Sequence, residues 1–179
     1  MLSFHEGDIL NNDSTIVIPV TEDGHITDEF EQAKERFPQL QRQLHSDYET
    51  AVESALLKIR NPMTVCDGRF VLFATKRRIQ DPSDIDNIKH GLVALVHLIS
   101  FSFSEPLRYG DKSTMHEMIC IPKLDCGPGG LPYGDVRMAF EIYLTDMPIH
   151  FKIYGENIDP NQIWAPITEE DLPPLPGGE

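Results

Sequence analysis

The chain has 179 residues and a mass of 20.3 kDa, the size of one ordinary domain with a core of its own. It carries 15 basic and 29 acidic residues, a net charge of −14, which excludes a broad surface that follows a nucleic-acid backbone. The apolar fraction of 40% excludes a wholly disordered chain. No segment has the length of apolar residues that crosses a bilayer, and the first ten residues lack a secretory leader pattern. We therefore expect a soluble, cytoplasmic protein.

Cysteine and histidine spacing argues against a disulfide framework and against a metal site. The cysteines are odd in number and form no C-x-x-C pair: Cys66, Cys120 and Cys126. The seven histidines show no ligand spacing with one another or with the cysteines. We expect no metal, and nothing in the sequence predicts a cofactor.

The first periodic signals predict a strand followed by a helix. The β-branched run over residues 14–20 is typical of a strand buried on both faces. From Thr27 to Leu44, apolar residues recur at spacings of three and four, which predicts an amphipathic helix with Thr27 and Asp28 as cap candidates. Pro38 predicts a kink or break within it.

The rest of the chain continues the alternation of strand and helix. The remaining predicted strands are 69–74, 118–121 and 149–154, the helices are 83–104 and 134–146, and 105–116 is a loop. Such alternation predicts an α/β sheet with helices on both faces. Residues 157–179 hold five prolines and five acids without a lysine or arginine, which indicates a tail or an extended strap outside a domain spanning 1–156.

The densest glycine cluster lies between a predicted strand and a predicted helix. In an open α/β sheet this is where ligands bind, since glycine amides and the helix N-terminus favour a phosphate. The alternative is a tight turn without a ligand, because a lone glycine cluster is a weak signal. The cluster has the spacing of neither a Walker A loop nor a dinucleotide fingerprint, and it comprises Cys126, Gly127, Pro128, Gly129, Gly130 and Leu131.

A basic triplet, residues 76–78, follows the second predicted strand. It is either a solvated strand end or part of the same crevice. In the second case Lys76 neutralises phosphate, or attacks the anomeric carbon of a sugar if its pKa is lowered. Asp8 is a turn former or an acceptor for an exocyclic amine, and His25 is a general base or an exposed loop residue.

Taken together, these segments resemble a macro domain, the α/β/α module that binds ADP-ribose. The resemblance runs from about Leu2 to Tyr154 and is carried by residues 6–10, 16–21 leading into 30–38, 68–78 and 122–136. Its specific parts are the Thr-Lys at a strand end and the pattern Pro-x-Leu-x-Cys-Gly-x-Gly-Gly-Leu-x-aromatic. These parts are similar to the branch that includes terminal ADP-ribose protein glycohydrolases and the antitoxins that remove ADP-ribose from DNA. The resemblance implies a three-layer α/β/α fold with a central mixed sheet.

The resemblance also implies roles for individual residues. Asp8 accepts the adenine amine, with the backbone of Ile9 nearby, and Tyr154 stacks on the adenine. Thr21 belongs to the first ligand loop, and the glycine cluster wraps the diphosphate and the distal ribose. Lys76 matches the lysine that attacks the anomeric carbon of the distal ribose or stabilises the species formed there.

Two departures from the family pattern bear on activity. Most relatives have an asparagine and a glycine-rich loop after the first strand, where this chain has acids over 21–29, which are unfavourable beside a diphosphate unless they point away. The glycohydrolases place an acid in the second loop, where this chain has Gly129, as the DNA-directed antitoxins do. Asp125 and Asp135 are candidate substitutes.

Two functions follow as hypotheses. The first is an enzyme that cleaves an ADP-ribosyl bond on a DNA base, a protein carboxylate or a small ADP-ribose derivative, through Lys76. The alternative is a non-catalytic reader or sequestering protein for ADP-ribose or a related nucleotide signal. The expected partners are ADP-ribose or an ADP-ribosylated substrate, including ADP-ribosylated DNA, and no membrane.

Overall fold

A computed structural model describes residues 1–104, 118–126 and 130–155, with side chains up to residue 101 in the first range. Six strands form one sheet: β1 (Leu2–His5), β2 (Thr15–Thr21), β3 (Met63–Val65), β4 (Phe70–Lys76), β5 (Met118–Pro122) and β6 (His150–Tyr154). The helices are α1 (Asp28–Arg36), α2 (Gln41–Glu53), α3 (Ile85–Ser104) and α4 (Tyr133–Leu144), and Ile9–Asn11 forms a 3-10 turn. No helix in these ranges is long and apolar enough to cross a membrane.

The sheet has the strand order β1-β6-β5-β2-β4-β3. All neighbouring pairs are parallel except β3 with β4, so the predicted mixed sheet is confirmed. Strand β2 lies between β4 and β5, and the chain crosses from one side of it to the other through α3. The carboxyl ends of five parallel strands therefore share one edge, and the change of direction beside β2 opens a crevice there.

Two cores flank the sheet because successive strand residues point to opposite faces. On β2, Ile16, Ile18 and Val20 pack with α1 and α2, whereas Val17 packs with α3 and α4. The whole of β2 is buried, which explains its β-branched composition. The predicted three-layer α/β/α arrangement is the one observed.

The predicted helix from Thr27 to Leu44 is wrong as a single element. Helix α1 ends at Arg36, and α2 begins at Gln41. The Phe37 N–H still donates to the Ala33 carbonyl at 3.0 Å, but Pro38 has no N–H with which to continue the ladder. The predicted cap is correct, since the Thr27 hydroxyl accepts from the Phe30 N–H at 3.3 Å.

Three short elements were not predicted: β1, the 3-10 turn and β3. Each has three or four residues, too few for a periodic pattern to stand out. Their positions come from pairing: β1 lies along β6, and β3 pairs antiparallel with β4 at the other edge. The predicted loop 105–116 and the predicted tail 157–179 lie outside the described residues.

Candidate functional site

A cavity of about 480 Å³ opens at the carboxyl edge of the sheet, between the ends of β2 and β4 and the segment after β5. The volume lies in the range typical of small-molecule sites. The residues with chemical groups for a ligand that line it include Thr21, His25, Lys76, Lys123, Asp125 and Cys126. The structure thus brings Lys76 and the start of the predicted glycine loop to the same crevice.

Lys76 and Asp125 form an ion pair on the wall of this cavity. The Lys76 Nζ lies 3.3 Å from Asp125 Oδ1, and the two side chains are 17% and 16% exposed. The other carboxylate oxygen of Asp125 is buried and has no hydrogen-bond partner in the described part of the chain. The Asp125 backbone is left-handed, with φ of 57°. A lysine and a carboxylate with one oxygen unused therefore face the same small volume.

A backbone hydrogen bond joins the two described ends of the glycine loop. The Leu131 N–H donates to the Asp125 carbonyl at 2.8 Å, so it does not point at a ligand. Gly130 and Leu131 precede the N-terminus of α4 as predicted, whereas Gly127, Pro128 and Gly129 lie outside the described residues. The predicted contact with a diphosphate therefore concerns the other backbone amides of the glycine cluster and not that of Leu131.

Cys126 lines the cavity but is not a nucleophile at neutral pH. Its thiol donates to the Leu124 carbonyl at 3.3 Å. Burial raises the pKa of Cys126 to about 11; the positive charge of Lys123 opposes this rise, and the negative charge of Asp125 adds to it. The thiol is therefore protonated at physiological pH.

A second group of predicted residues gathers at the ends of β1 and β6. Asp8 Oδ1 accepts from the Leu10 N–H at 2.8 Å, which leaves its second oxygen for another donor. The Ile9 N–H occupies the first position of the 3-10 turn, where an amide has no partner within the turn. Asn12 links the group, because its Nδ2 donates to the Ile9 carbonyl at 2.9 Å and its Oδ1 accepts from the Tyr154 hydroxyl at 3.1 Å.

The two groups lie at the ends of neighbouring strands. Tyr154 pairs with Pro122 in the register of β5 and β6, so it ends one strand away from Lys123 and Asp125. The 480 Å³ cavity itself is not lined by Asp8 or Tyr154. The arrangement provides an elongated edge with a lysine and a carboxylate at one end and an aromatic ring at the other.

Loop 21–27 is held in place by an internal hydrogen-bond network. The Thr21 hydroxyl donates to Asp23 Oδ1 at 2.6 Å and accepts from the His25 N–H at 3.1 Å. The Tyr48 hydroxyl, from α2, donates to the His25 carbonyl at 2.9 Å. The hydrogen bond from Thr21 lowers the pKa of Asp23, and outweighs a smaller opposing effect of burial. The Thr21 hydroxyl is thus committed to the loop, although Thr21 lines the cavity.

The acids of the first loop divide into two pairs. Glu22 Oε1 accepts from the Ile59 N–H at 2.9 Å, and Asp23 lines a separate pocket beside α2, so both point away from the cavity. Asp28 and Glu29, in the first turn of α1, line the cavity itself. The predicted repulsion between the first-loop carboxylates and a bound diphosphate is therefore avoided at Glu22 and Asp23 and remains at Asp28 and Glu29.

Three residues that position the site were not singled out from the sequence: Asn12, Tyr48 and Lys123. Lys76 is the last residue of β4 and Lys123 directly follows β5, so the rule that ligand groups lie at strand ends could have identified Lys123. Its ammonium lies 5.7 Å from the centroid of the Tyr133 ring. Asn12 and Tyr48 act through contacts distant in sequence and leave no local signal. Within the described ranges, no cluster of histidine, cysteine and carboxylate groups has a metal-binding arrangement.

Comparison with solved structures shows a macrodomain fold. The macrodomain of Thermus aquaticus DarG superposes with a TM-score of 0.70 at 23% identity, covering 87% of this chain and 98% of that one. The macrodomain of Mycobacterium tuberculosis DarG gives 0.68 at 25% identity, covering 88% and 99%. The resemblance that the sequence motifs indicate is therefore confirmed at the level of the fold.

A third solved structure, Thermosipho africanus DarTG in complex with ADP-ribose, has a TM-score of 0.70 at 24% identity. The match covers 90% of this chain and 44% of that one. No family model and no curated protein sequence matches this chain.

Proposed function

We propose that this chain binds ADP-ribose along the carboxyl edge of its sheet and hydrolyses an ADP-ribosyl bond with Lys76 at the distal ribose. The observation that carries the proposal is the Lys76–Asp125 pair, 3.3 Å apart on the wall of a cavity of about 480 Å³. Support also comes from the fold shared with the DarG macrodomains and with a DarTG structure that contains ADP-ribose.

The orientation of the nucleotide follows from the chemistry at the two ends of the edge. Adenine needs a flat ring and an acceptor for its amine, and Tyr154 and the unused oxygen of Asp8 supply these. The diphosphate needs amide donors and positive charge, which the loop after β5 and Lys123 supply in the middle. The distal ribose then lies beside Lys76.

The reaction requires Lys76 to lose a proton before it attacks. An ammonium has no lone pair, and Asp125 is the carboxylate close enough to accept its proton. The free amine forms a bond to the anomeric carbon as the bond from that carbon to the leaving group breaks, and the leaving group takes up a proton. Water then hydrolyses the nitrogen adduct, releasing ADP-ribose and returning the amine.

A non-catalytic reader is the second candidate, and the cavity acids favour it. Asp28 and Glu29 line the same volume as Lys76, and a lysine that remains an ammonium beside Asp125 binds anions but has no lone pair with which to attack carbon. In this case Lys76 neutralises phosphate and no bond is cleaved. The two candidates share a binding site and differ in turnover.

Two measurements separate these candidates. Calorimetry with ADP-ribose tests binding, and absence of heat at millimolar ligand would exclude both. Turnover is then measured on DNA ADP-ribosylated at a base and on protein ADP-ribosylated at carboxylates, for wild type, Lys76→Ala and Lys89→Ala. We expect Lys76→Ala to lose at least about 100-fold in rate, the scale of a group that transfers protons or forms a bond. Lys89 lies on α3 away from the cavity, so its variant is the charge-matched control.

Borohydride trapping tests the covalent step directly. A lysine adduct at an anomeric carbon opens to an imine that a hydride reduces to a stable amine. We expect a peptide containing Lys76 to gain the mass of the reduced ADP-ribose group. Turnover that survives Lys76→Ala would rule out the lysine mechanism, and binding without turnover in wild type would favour the reader.

A further inference from the structure

A polar strip runs along β1 and β6, on the face opposite the core under α3 and α4. The alternate residues of both strands belong to that core, so the remaining side chains point the other way. The register places Ser3 beside Lys152 and His5 beside Tyr154. All the side chains of the strip are half-buried: Ser3, His5, His150, Lys152 and Tyr154.

One hydroxyl joins the two histidines of the strip. The Ser3 Oγ lies 2.8 Å from His5 Nε2 and 2.7 Å from His150 Nε2, and 3.5 Å from the Phe151 carbonyl oxygen. When both rings are protonated, Ser3 accepts from each Nε2–H and donates its own proton to Phe151. Among the described residues no hydrogen bond involves either Nδ1, so both Nδ1–H groups can then donate to a ligand while the contacts of Ser3 are kept.

The strip lacks negative charge in a strongly acidic chain. Burial lowers the pKa of His5 most, and the positive charges of Lys152 and His150 lower it further. In the described ranges no carboxylate lies within salt-bridge distance of Lys152, His5 or His150. Three groups able to carry positive charge therefore stand together with no carboxylate partner among the described residues, while the chain as a whole carries a charge of −14.

We propose that this strip is an anion site that binds a phosphoryl group through the Lys152 ammonium and the Nδ1–H groups of His5 and His150. The group is either a free phosphate or a phosphate on the ribose at the adenosine end of a bound nucleotide. The second source is considered because the strip ends at Tyr154, the proposed platform for adenine. The His5 and Tyr154 rings are stacked, with centroids 5.5 Å apart and planes at 23°. The alternative in which a bound nucleotide carries the phosphate rests on the proposed function, whereas binding of a free phosphate does not.

The site is tested with pyrophosphate, which requires no nucleotide binding. Histidine ring signals are followed by NMR at matched ionic strength, in wild type, Lys152→Gln and Lys89→Gln. We expect pyrophosphate to move the ring signals of His5 and His150 and to raise the pKa of His5. We expect Lys152→Gln to weaken this binding about tenfold, the loss of one charge-assisted hydrogen bond, and Lys89→Gln to leave it unchanged. Unmoved ring signals, or equal binding by Lys152→Gln, would overturn the site.

A second titration identifies the source of the phosphate. ADP-ribose and ADP-ribose carrying a 2′-phosphate are compared by calorimetry on wild type and Lys152→Gln. If wild type, but not Lys152→Gln, binds the 2′-phosphorylated ligand more tightly than ADP-ribose, the phosphate belongs to a nucleotide. If wild type binds both ligands equally and also binds pyrophosphate, the site takes a free phosphate. If the proposed function is wrong, ADP-ribose will not bind in this titration, but pyrophosphate will still bind to the strip.

Discussion

The Lys76 ammonium lies 3.3 Å from the carboxylate of Asp125, which adopts a left-handed backbone conformation immediately after β5. Strand β4 and strand β5 deliver these residues from opposite sides of β2. One oxygen of Asp125 is paired with the lysine and the other is buried without a partner in the described residues. The pair is therefore placed for proton transfer at the cavity wall.

Asp125→Asn tests whether that carboxylate transfers a proton. Asparagine tolerates the left-handed backbone, so the loop should keep its shape, but its amide cannot accept the proton of Lys76. We expect turnover to fall by about 100-fold or more while the affinity for ADP-ribose stays within about threefold. Single-turnover rates and calorimetry measure the two effects separately. Unchanged turnover would reduce Asp125 to an electrostatic partner of Lys76.

Gly91→Ala should destabilise the fold through the contact of α3 with β4. A Cβ at Gly91 would stand 2.3 Å from Cζ of the buried Phe73 ring, so the ring or the helix has to move. We expect a loss of roughly 1–3 kcal/mol in the free energy of unfolding, measured by urea denaturation. Gly134→Ala in α4 is the matched control, because within the described residues no atom beyond its own helix turn and chain neighbours lies within 4 Å of its Cβ. Equal stabilities of the two variants would contradict this packing.

Tyr154 variants separate ring stacking from the hydroxyl contact. Tyr154→Ala removes the proposed platform for adenine and should weaken ADP-ribose binding by roughly 1–3 kcal/mol in calorimetry. Tyr154→Phe keeps the ring and its stacking on His5 but loses the hydrogen bond to Asn12, which should cost about 1 kcal/mol of stability. The Phe variant should bind close to wild type. Equal affinity of the Ala variant would place the base elsewhere.

The cysteines should be unreactive in the folded protein. Burial raises the pKa of Cys66 and of Cys126 to about 11, and it also raises the pKa of Cys120. At pH 8 only about one thiol in a thousand at Cys66 or Cys126 is then a thiolate. Alkylation by iodoacetamide, followed by mass spectrometry, should be slow and rise about tenfold for each pH unit up to pH 10. The urea-unfolded chain is the control, and rapid labelling of Cys126 in the native state would be inconsistent with its burial.

The sequence predicts best where a pattern is long and local. The β-branched run of β2 and the amphipathic spacing of α3 correspond to real elements, because burial on two faces or on one helical face dictates residue type over many positions. The motifs after β4 and β5 placed Lys76 and Cys126 at one crevice because parallel strands end at a common edge.

The remaining features depend on partners distant in the sequence. Tyr154 meets Asn12 across 142 positions, and β1 exists only because it pairs with β6. The orientation of Glu22 is also non-local, since its carboxylate accepts from the Ile59 N–H and pairs with the Lys58 ammonium. Such contacts are fixed by tertiary packing and leave no periodic signal.

The most direct test is a crystal structure with ADP-ribose bound. We expect the adenine against Tyr154, its amine at Asp8, and the anomeric carbon of the distal ribose about 3–3.5 Å from Lys76 Nζ, the separation of reacting atoms before attack. A nucleotide bound away from the carboxyl edge, or bound with its adenine beside Lys76, would contradict this expectation.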